Sequence, residues 1–412
     1  MVKLLNNPYG QCFFPEIRQY GSAYVDKTIF IEKLERYGGK YPFIVRPRRF
    51  GKSLFTQTLA AYYDASCVKD FDKNFKGTYI YDHRTTAAGS FFVLFLDFSG
   101  MILGDPVTQF VERLRAAVRI FLGKYPVKKA EFVLTKAYDA PAVLFSDFIS
   151  AVYTELGKKL YVIIDEYDQL INGFFSCDQA RFKGSVRAVG FIKDFYSSLK
   201  EATKTAVSRV FITGVASISM DSMTSGFNIA KNLSFEPEFA SMFGFTEDEL
   251  ANLIPQLVDL NEYGHSLSEV MSRMNELYSG YRFWNESGDT VFNSSMCLYY
   301  LDKISLCGQE PANVMGPALF SDLPKIDGIF SHGQKELVLQ IVNDAVMGRS
   351  IAFGEISEAI NLNSFNKFNR KDLLSTLMYM GFLTYAEDGR SLKVPNQFVS
   401  RLFFEYNLKY LC

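Results

Sequence analysis

Tryptophan occurs once in this chain and histidine three times, and neither type builds a recognisable site. His83, His265 and His332 have no partners at metal-ligand spacing and read as surface residues. The six cysteines are Cys12, Cys67, Cys177, Cys297, Cys307 and Cys412. None forms a CxxC pair or has a histidine at ligand spacing, which excludes a structural zinc site. Scattered through 412 residues, they read as reduced thiols of a cytoplasmic protein. Long apolar runs are also missing. The most apolar stretch, FFVLFLDF at 91–98, is broken by Asp97 and falls far short of the ~20 residues that a membrane span needs. Residues 1–14 show no basic segment leading into an apolar run, so no secretory signal is predicted. Excess charge of either sign is absent: 44 Lys+Arg face 45 Asp+Glu. That balance excludes a protein that coats nucleic acid or an anionic membrane by bulk attraction, although it leaves room for a local basic patch.

What is there is an ordinary globular composition, 48% hydrophobic and 22% charged, which excludes general disorder. At roughly 150 residues per domain, the length predicts two to three domains. The 39 Phe and 24 Tyr read first as core and interface packing.

Short apolar runs at 41–45, 91–96, 160–164 and 209–213 alternate with helical spacing over 53–65, 105–122, 145–156 and 191–203. A further helix-like stretch covers 28–37. Buried strands alternating with amphipathic helices predict an α/β fold with a parallel sheet covered on both faces. After about residue 240 helices dominate, over 247–258 and 267–277. From about 334 the rhythm is helix (336–347), short extended run (351–353), helix (355–360), helix (370–380) and a hairpin around Glu387-Asp388-Gly389. Three helices and a terminal hairpin suggest a winged-helix module. The predicted units are 1–240, the α/β sheet domain; 241–332, a helical lid or linker; and 333–412, the winged-helix-like end.

The sharpest local feature is RPRRFGKS, 46–53, with a strand before it and a helix after it, the context that a phosphate-binding loop requires. Gly51 lets backbone approach a phosphate. The N–H groups around Phe50, Gly51, Lys52 and Ser53 lie at the positive end of the helix. Lys52 offers a point charge to β- and γ-phosphates, and Ser53 a hydroxyl to Mg²⁺. The departure is Arg46, which stands where GxxxxGK[ST] has its first glycine, with Pro47 stiffening the loop. The competing reading is a basic surface patch of Arg46, Arg48 and Arg49.

The second feature is LYVIIDEYDQLI, 160–171, whose apolar run ends in Asp165-Glu166. In a parallel sheet this strand end lies beside the phosphate loop. Asp165 would orient Mg²⁺, and Glu166 would act as general base on water. A strand-like segment ending in Asp97 separates the two motifs, which implies one extra strand between the phosphate-loop strand and the Mg²⁺ strand. Thr213, at the end of the fourth strand, is the candidate for a polar residue touching the γ-phosphate or the attacking water; an ordinary strand-end turn is the alternative.

Taken together, the segments resemble the AAA-ATPase-like family, P-loop ATPases often fused to a C-terminal PD-(D/E)xK nuclease-like domain. The matching stretches are FPEIRQYGSAYVDKT (14–28), RPRRFGKS (46–53), LFLDFSG (94–100), VIIDEYD (162–168), FITGVASIS (211–219), FGFTEDEL (243–250), YSGYRF (278–283) and PNQFVSRLFFEY (395–406). The resemblance makes Arg46 a family trait rather than a damaged loop. It implies an additional-strand, AAA-like P-loop sheet that binds ATP and Mg²⁺, with residues 46–53 and Asp165 as the nucleotide site. It also places YVDKT near the nucleotide base or the sheet edge, where the plainer reading of Asp26 is a helix cap. Where the family usually reads NP, this chain has Asn293-Ser294. No D…(D/E)xK strand pair follows the last matching stretch, so no nuclease activity is expected from this chain.

Arg282 is a candidate cis arginine toward the γ-phosphate, with a surface ion pair as the alternative. Asp97 is read as ordering the attacking water or pairing with a loop arginine, and Asp168 as a structural partner of Arg48 or Arg49. Lys367, Arg370 and Lys371 could meet DNA phosphates, though a short basic run is usually a solvated face. The resulting expectation is an ATP-binding, ATP-hydrolysing switch whose partner, a protein or a nuclease acting in trans, is not in this chain. The competing class is a non-catalytic protein- or DNA-binding module on a degenerate P-loop fold.

Overall fold

The computed structural model describes residues 4–101, 105–169, 190–216, 226–262, 264–285, 290–316, 318–331, 333–357, 360 and 368–410. Its centre is a parallel sheet of five strands: β1 (Pro42–Val45), β2 (Phe92–Asp97), β3 (Leu160–Asp165), β4 (Val207–Gly214) and β5 (Lys231–Asn232), in the order β2-β3-β4-β1-β5. Every residue of β1 and β3 is buried, as continuous apolar runs require in a sheet covered on both faces. The strand between the phosphate-loop strand and the Asp165 strand is therefore β4. β2, expected there from its place in the chain, pairs with the far side of β3. Chain order says nothing about which crossover enters the middle of a sheet.

Helices cover the sheet. Lys52–Tyr63 (α1) follows β1 directly, and Pro106–Lys124 (α2), Pro141–Leu156 (α3) and Gly190–Ala202 (α4) link the later strands. The start of α2 is fixed by Asp105, whose side chain accepts from the N–H groups of Val107 and Thr108, with Pro106 at the first helical position. Many aromatics serve this packing. Phe98, Phe110, Phe145 and Phe195 meet at ring-centroid distances of 4.4 to 5.3 Å, within the range that favours offset and edge-on pairs.

Residues after 240 form a helical region with a small antiparallel sheet. Glu247–Leu257 (α5) and Leu267–Tyr278 (α6) each begin in a complete capping box, Thr246 with Glu249 and Ser266 with Glu269. Ser294–Cys307 (α7), Ala318–Ser331 (α8), Lys335–Val346 (α9), Arg370–Tyr379 (α10) and Gln397–Tyr410 (α11) follow. The sheet joins β6 (Ile351–Ala352), β7 (Thr384–Tyr385) and β8 (Ser391–Lys393) in the order β6-β8-β7, and β7 and β8 are the expected hairpin. The helix expected over 355–360 is not present at 355–357 or 360; Glu358 and Ala359 lie outside the described residues. Of the basic run, Lys371 pairs with Glu355 and Arg370 reaches the Ala352 carbonyl; Lys367 lies outside the described residues, as do His332, Cys177, Cys412 and 217–219 of the FITGVASIS stretch. No helix among the described residues is long and apolar enough to cross a membrane.

Candidate nucleotide site

The carboxyl edge of the sheet opens on a cavity of about 380 Å³, within the usual size range of small-molecule pockets. Arg48, Phe50, Gly51, Lys52, Ser53 and Glu166 are among its lining residues. Gly51 has φ +87° and is the N-cap of α1. It adds no capping side chain, so the first N–H groups of α1 have no acceptor within their own helix or from the cap. Glycine tolerates this left-handed φ without strain.

Lys52 is buried at the start of α1, and its Nζ donates to the Pro47 carbonyl at 3.0 Å across the loop. Burial pushes its ammonium below the usual lysine range, against the pull of Glu166, Asp165 and Asp168. Thr56 Oγ1 donates to Asp165 Oδ2 at 3.4 Å, and the Ser53 hydroxyl lies close enough to act on the same carboxyl. Burial first, then the Glu166 charge, push the Asp165 carboxyl up to about 6, while the Ser53 hydroxyl and Lys52 hold it back. Glu166 follows with φ +52°, a left-handed backbone that non-glycine residues rarely adopt. Among the described residues, Arg49 at +71° is the other non-glycine residue with positive φ. Strain of this kind tends to collect at functional sites.

Several expected site residues have their side chains engaged elsewhere. Arg46 is 1% exposed. Its guanidinium donates to the carbonyls of Val45 (2.9 Å), Ser234 (2.5 Å) and Phe239 (3.1 Å) and lies 4.2 Å from the centre of the Phe283 ring. Burial pushes it down to about 9, which still leaves it charged at neutral pH. Pro47 packs on Gly381, where an added Cβ would come within 2.7 Å of the Pro47 ring. Arg48 donates to Gln169 Oε1 at 3.1 Å, and Arg49 pairs with Asp322. Phe50 is packed edge-on between Tyr281 and Phe283, and its carbonyl accepts from Gly244 at 2.9 Å.

Thr213 is fully buried and donates its hydroxyl to the Ile44 carbonyl at 2.8 Å. The Arg282 N–H donates to Thr384 Oγ1 at 2.7 Å, and its guanidinium points to the Ala386 carbonyl. Neither residue lines the cavity. Asp168, expected as a structural partner, accepts at its carboxylate from the Val215 and Ala216 N–H groups, at 3.1 and 2.7 Å to Oδ2. Asp97 is the register partner of Asp165 and accepts from the Ser99 N–H at 2.8 Å. Asp26 accepts from the Thr28 and Tyr79 N–H groups.

The cavity wall also contains residues outside the two phosphate-site motifs. Val25, Phe245, Leu253 and Leu298 are apolar lining, and Ser294 and Ser295 come from the start of α7. Lys27 lines it too, bonded to Glu249 at 2.6 Å and to the Ser241 carbonyl at 2.8 Å. YVDKT was expected near this edge. Phe243, Gly244 and Phe245 belong to the FGFTEDEL stretch, whereas Leu253, Ser295 and Leu298 reach the cavity only through the fold.

A parallel sheet in this order, with Lys52 and Ser53 heading the helix after β1 and Asp165 ending β3, defines a P-loop fold. More narrowly, residues 8–224 match the family described as Predicted AAA-ATPase, and the chain belongs to that family. It is also 26% identical over 289 residues to a protein of Azotobacter chroococcum mcd 1 described as "Uncharacterized protein in vnfD 5'region". The match covers 69% of this chain and 50% of that protein, so the chain spans about half the length of this curated relative.

Proposed function

We propose that this chain binds Mg·ATP in the cavity beside β1 and hydrolyses it, as a cytoplasmic nucleotide-driven switch whose effector lies on another chain. One observation carries the reading: Lys52, Ser53 and Glu166, from two separate motifs, line one cavity, and the buried Asp165 carboxyl lies behind them within electrostatic reach of Lys52 and Glu166. The donor set suits the cation. A hydroxyl and a buried carboxyl, the latter pushed up to about 6 by desolvation and a neighbouring anion, are hard oxygen ligands that a divalent ion would relieve. Ser53 and Asp165 would hold Mg²⁺, which when bound neutralises charge on the phosphoryl oxygens.

The chain's own residues supply the rest. The N–H groups at the head of α1 and the Lys52 ammonium bind the phosphates. Glu166 orients the attacking water and accepts its proton. Arg46 and Pro47 shape the loop from behind. Thr213 and Arg282 enter as framework residues, since their polar groups serve Ile44, Thr384 and Ala386. We assign 1–240 to the ATPase unit, 241–332 to a helical lid and 333–412 to a winged-helix-like end; β6 to β8 and the helices around them support the last assignment.

Nucleotide titration and phosphate release test the reading in the native chain, Lys52→Ala and Glu166→Gln. Lys52→Ala should lose ATP binding, and Glu166→Gln should bind ATP without turning it over. Equal ATP affinity in the native chain and Lys52→Ala would overturn the proposal in favour of a non-catalytic module.

A further inference from the structure

The phosphate loop holds a strained residue that the C-terminal half of the chain grips from two sides. Arg49 has φ +71°, and a non-glycine residue keeps such a conformation only where its surroundings impose it. Its carbonyl accepts from Ser295 N–H and Ser294 Oγ, both at 3.0 Å, at the start of α7. Its guanidinium pairs with Asp322 on α8. Asp322 is buried, and Lys325 one turn on bonds its other oxygen at 2.7 Å. These two cations hold the Asp322 carboxyl below the usual carboxylate range despite burial. Gly51 and Lys52 lie two and three residues along the same loop, so a backbone rotation at 49 would redirect the groups that face the cavity.

We propose that Asp322 is a positioning residue for the phosphate loop: through Arg49 it holds residue 49 left-handed, and so couples α8 to nucleotide affinity. The affinity part rests on the Mg·ATP reading above; the loop-holding part does not. If the loop populates its competent conformation less often, apparent affinity falls by the same factor.

The experiment uses the full chain as native, Asp322→Asn, Arg49→Gly and the double variant, with Asp322→Glu as a charge-preserving control. Hydrogen exchange of the segment 46–53 is measured without nucleotide, and Mg·ATP is titrated separately. Asp322→Asn should speed exchange in 46–53 and weaken Mg·ATP binding about tenfold, and Asp322→Glu should restore most of both. In the Arg49→Gly background the ion pair is already gone and glycine accepts a positive φ, so Asp322→Asn should cost less than about twofold. Native exchange in Asp322→Asn, or the same loss in both backgrounds, would overturn the inference. Faster exchange in a chain that binds no ATP even as native would keep the positioning role and overturn the nucleotide reading instead.

Discussion

Replacing Lys52 with methionine should separate function from stability. The Lys52 ammonium is buried and held below the usual lysine range, so its charged form is disfavoured in the folded chain. The sign follows by linkage. The unfolded chain binds this proton more tightly, so the penalty is fully present below the folded value, and stability rises as pH climbs from the folded value toward the unfolded one. Methionine has a similar length and no charge, and it removes that penalty, which for a buried ion is several kcal/mol before compensation. It also deletes the 3.0 Å bond from Nζ to the Pro47 carbonyl. An acceptor left unsatisfied costs about 1–3 kcal/mol. The two terms oppose each other, and the unfolding free energy should stay within about 1 kcal/mol of native or rise. Phosphate binding has no such compensation. Two charge-assisted hydrogen bonds at about 1.5–3 kcal/mol each would be lost, which weakens ATP binding by about a hundredfold or more. Urea unfolding and calorimetric ATP titration read the two effects. A variant that loses several kcal/mol of stability yet binds ATP like the native chain would refute the reasoning.

Asp168→Ala should cost about 2–4 kcal/mol in chemical denaturation, because the buried Val215 and Ala216 N–H groups lose their acceptor; Asp168→Asn, which keeps one, should lose less. Gly381→Ala should destabilise by about 1–3 kcal/mol, since φ is +81° and the new Cβ would meet Pro47 Cβ at 2.7 Å. It should also weaken ATP binding measurably from a site far along the chain, because Pro47 carries the carbonyl that holds Lys52.

The parts of the fold legible in the sequence are those with a local signature. β1, β3 and β4 are short apolar runs, and a buried parallel strand has no other pattern to show. Their order was not legible, because β4 enters between β1 and β3 only through a long-range register, Ile44 beside Thr213 and Ile164 beside Ile212. Helix α7, not among the expected elements, does carry a local signature: Asn293 caps it, and Met296, Cys297, Tyr300, Leu301 and Ile304 recur at helical spacing. The helix expected over 355–360 would span six residues, and so short a segment does not propagate on its own, because a first turn must fix several residues for one hydrogen bond.

The candidate site divides along the same line. Lys52, Ser53, Asp165 and Glu166 were legible because each sits at a fixed offset from a strand end. The orientation of Arg46 was not, since its acceptors are carbonyls such as that of Ser234, 188 residues away. The composition of the loop explains why so much of its support is remote. A glycine-rich phosphate loop can adopt its turns with little outside help, because glycine pays no steric cost at positive φ. Here arginine stands at the first glycine position, proline follows, and a strained arginine sits at 49. Such a loop cannot hold its shape alone, and the constraint passes to its neighbours. The contacts fall where that argument requires: Ser234 and Phe239 on Arg46, Gly381 on Pro47, Asp322 with Ser294 and Ser295 on Arg49, and Tyr281 with Phe283 on Phe50. Every residue from 46 to 50 except Arg48 is gripped by a part of the chain beyond 230, so in this fold the loop's geometry is a property of the C-terminal half as much as of the loop itself.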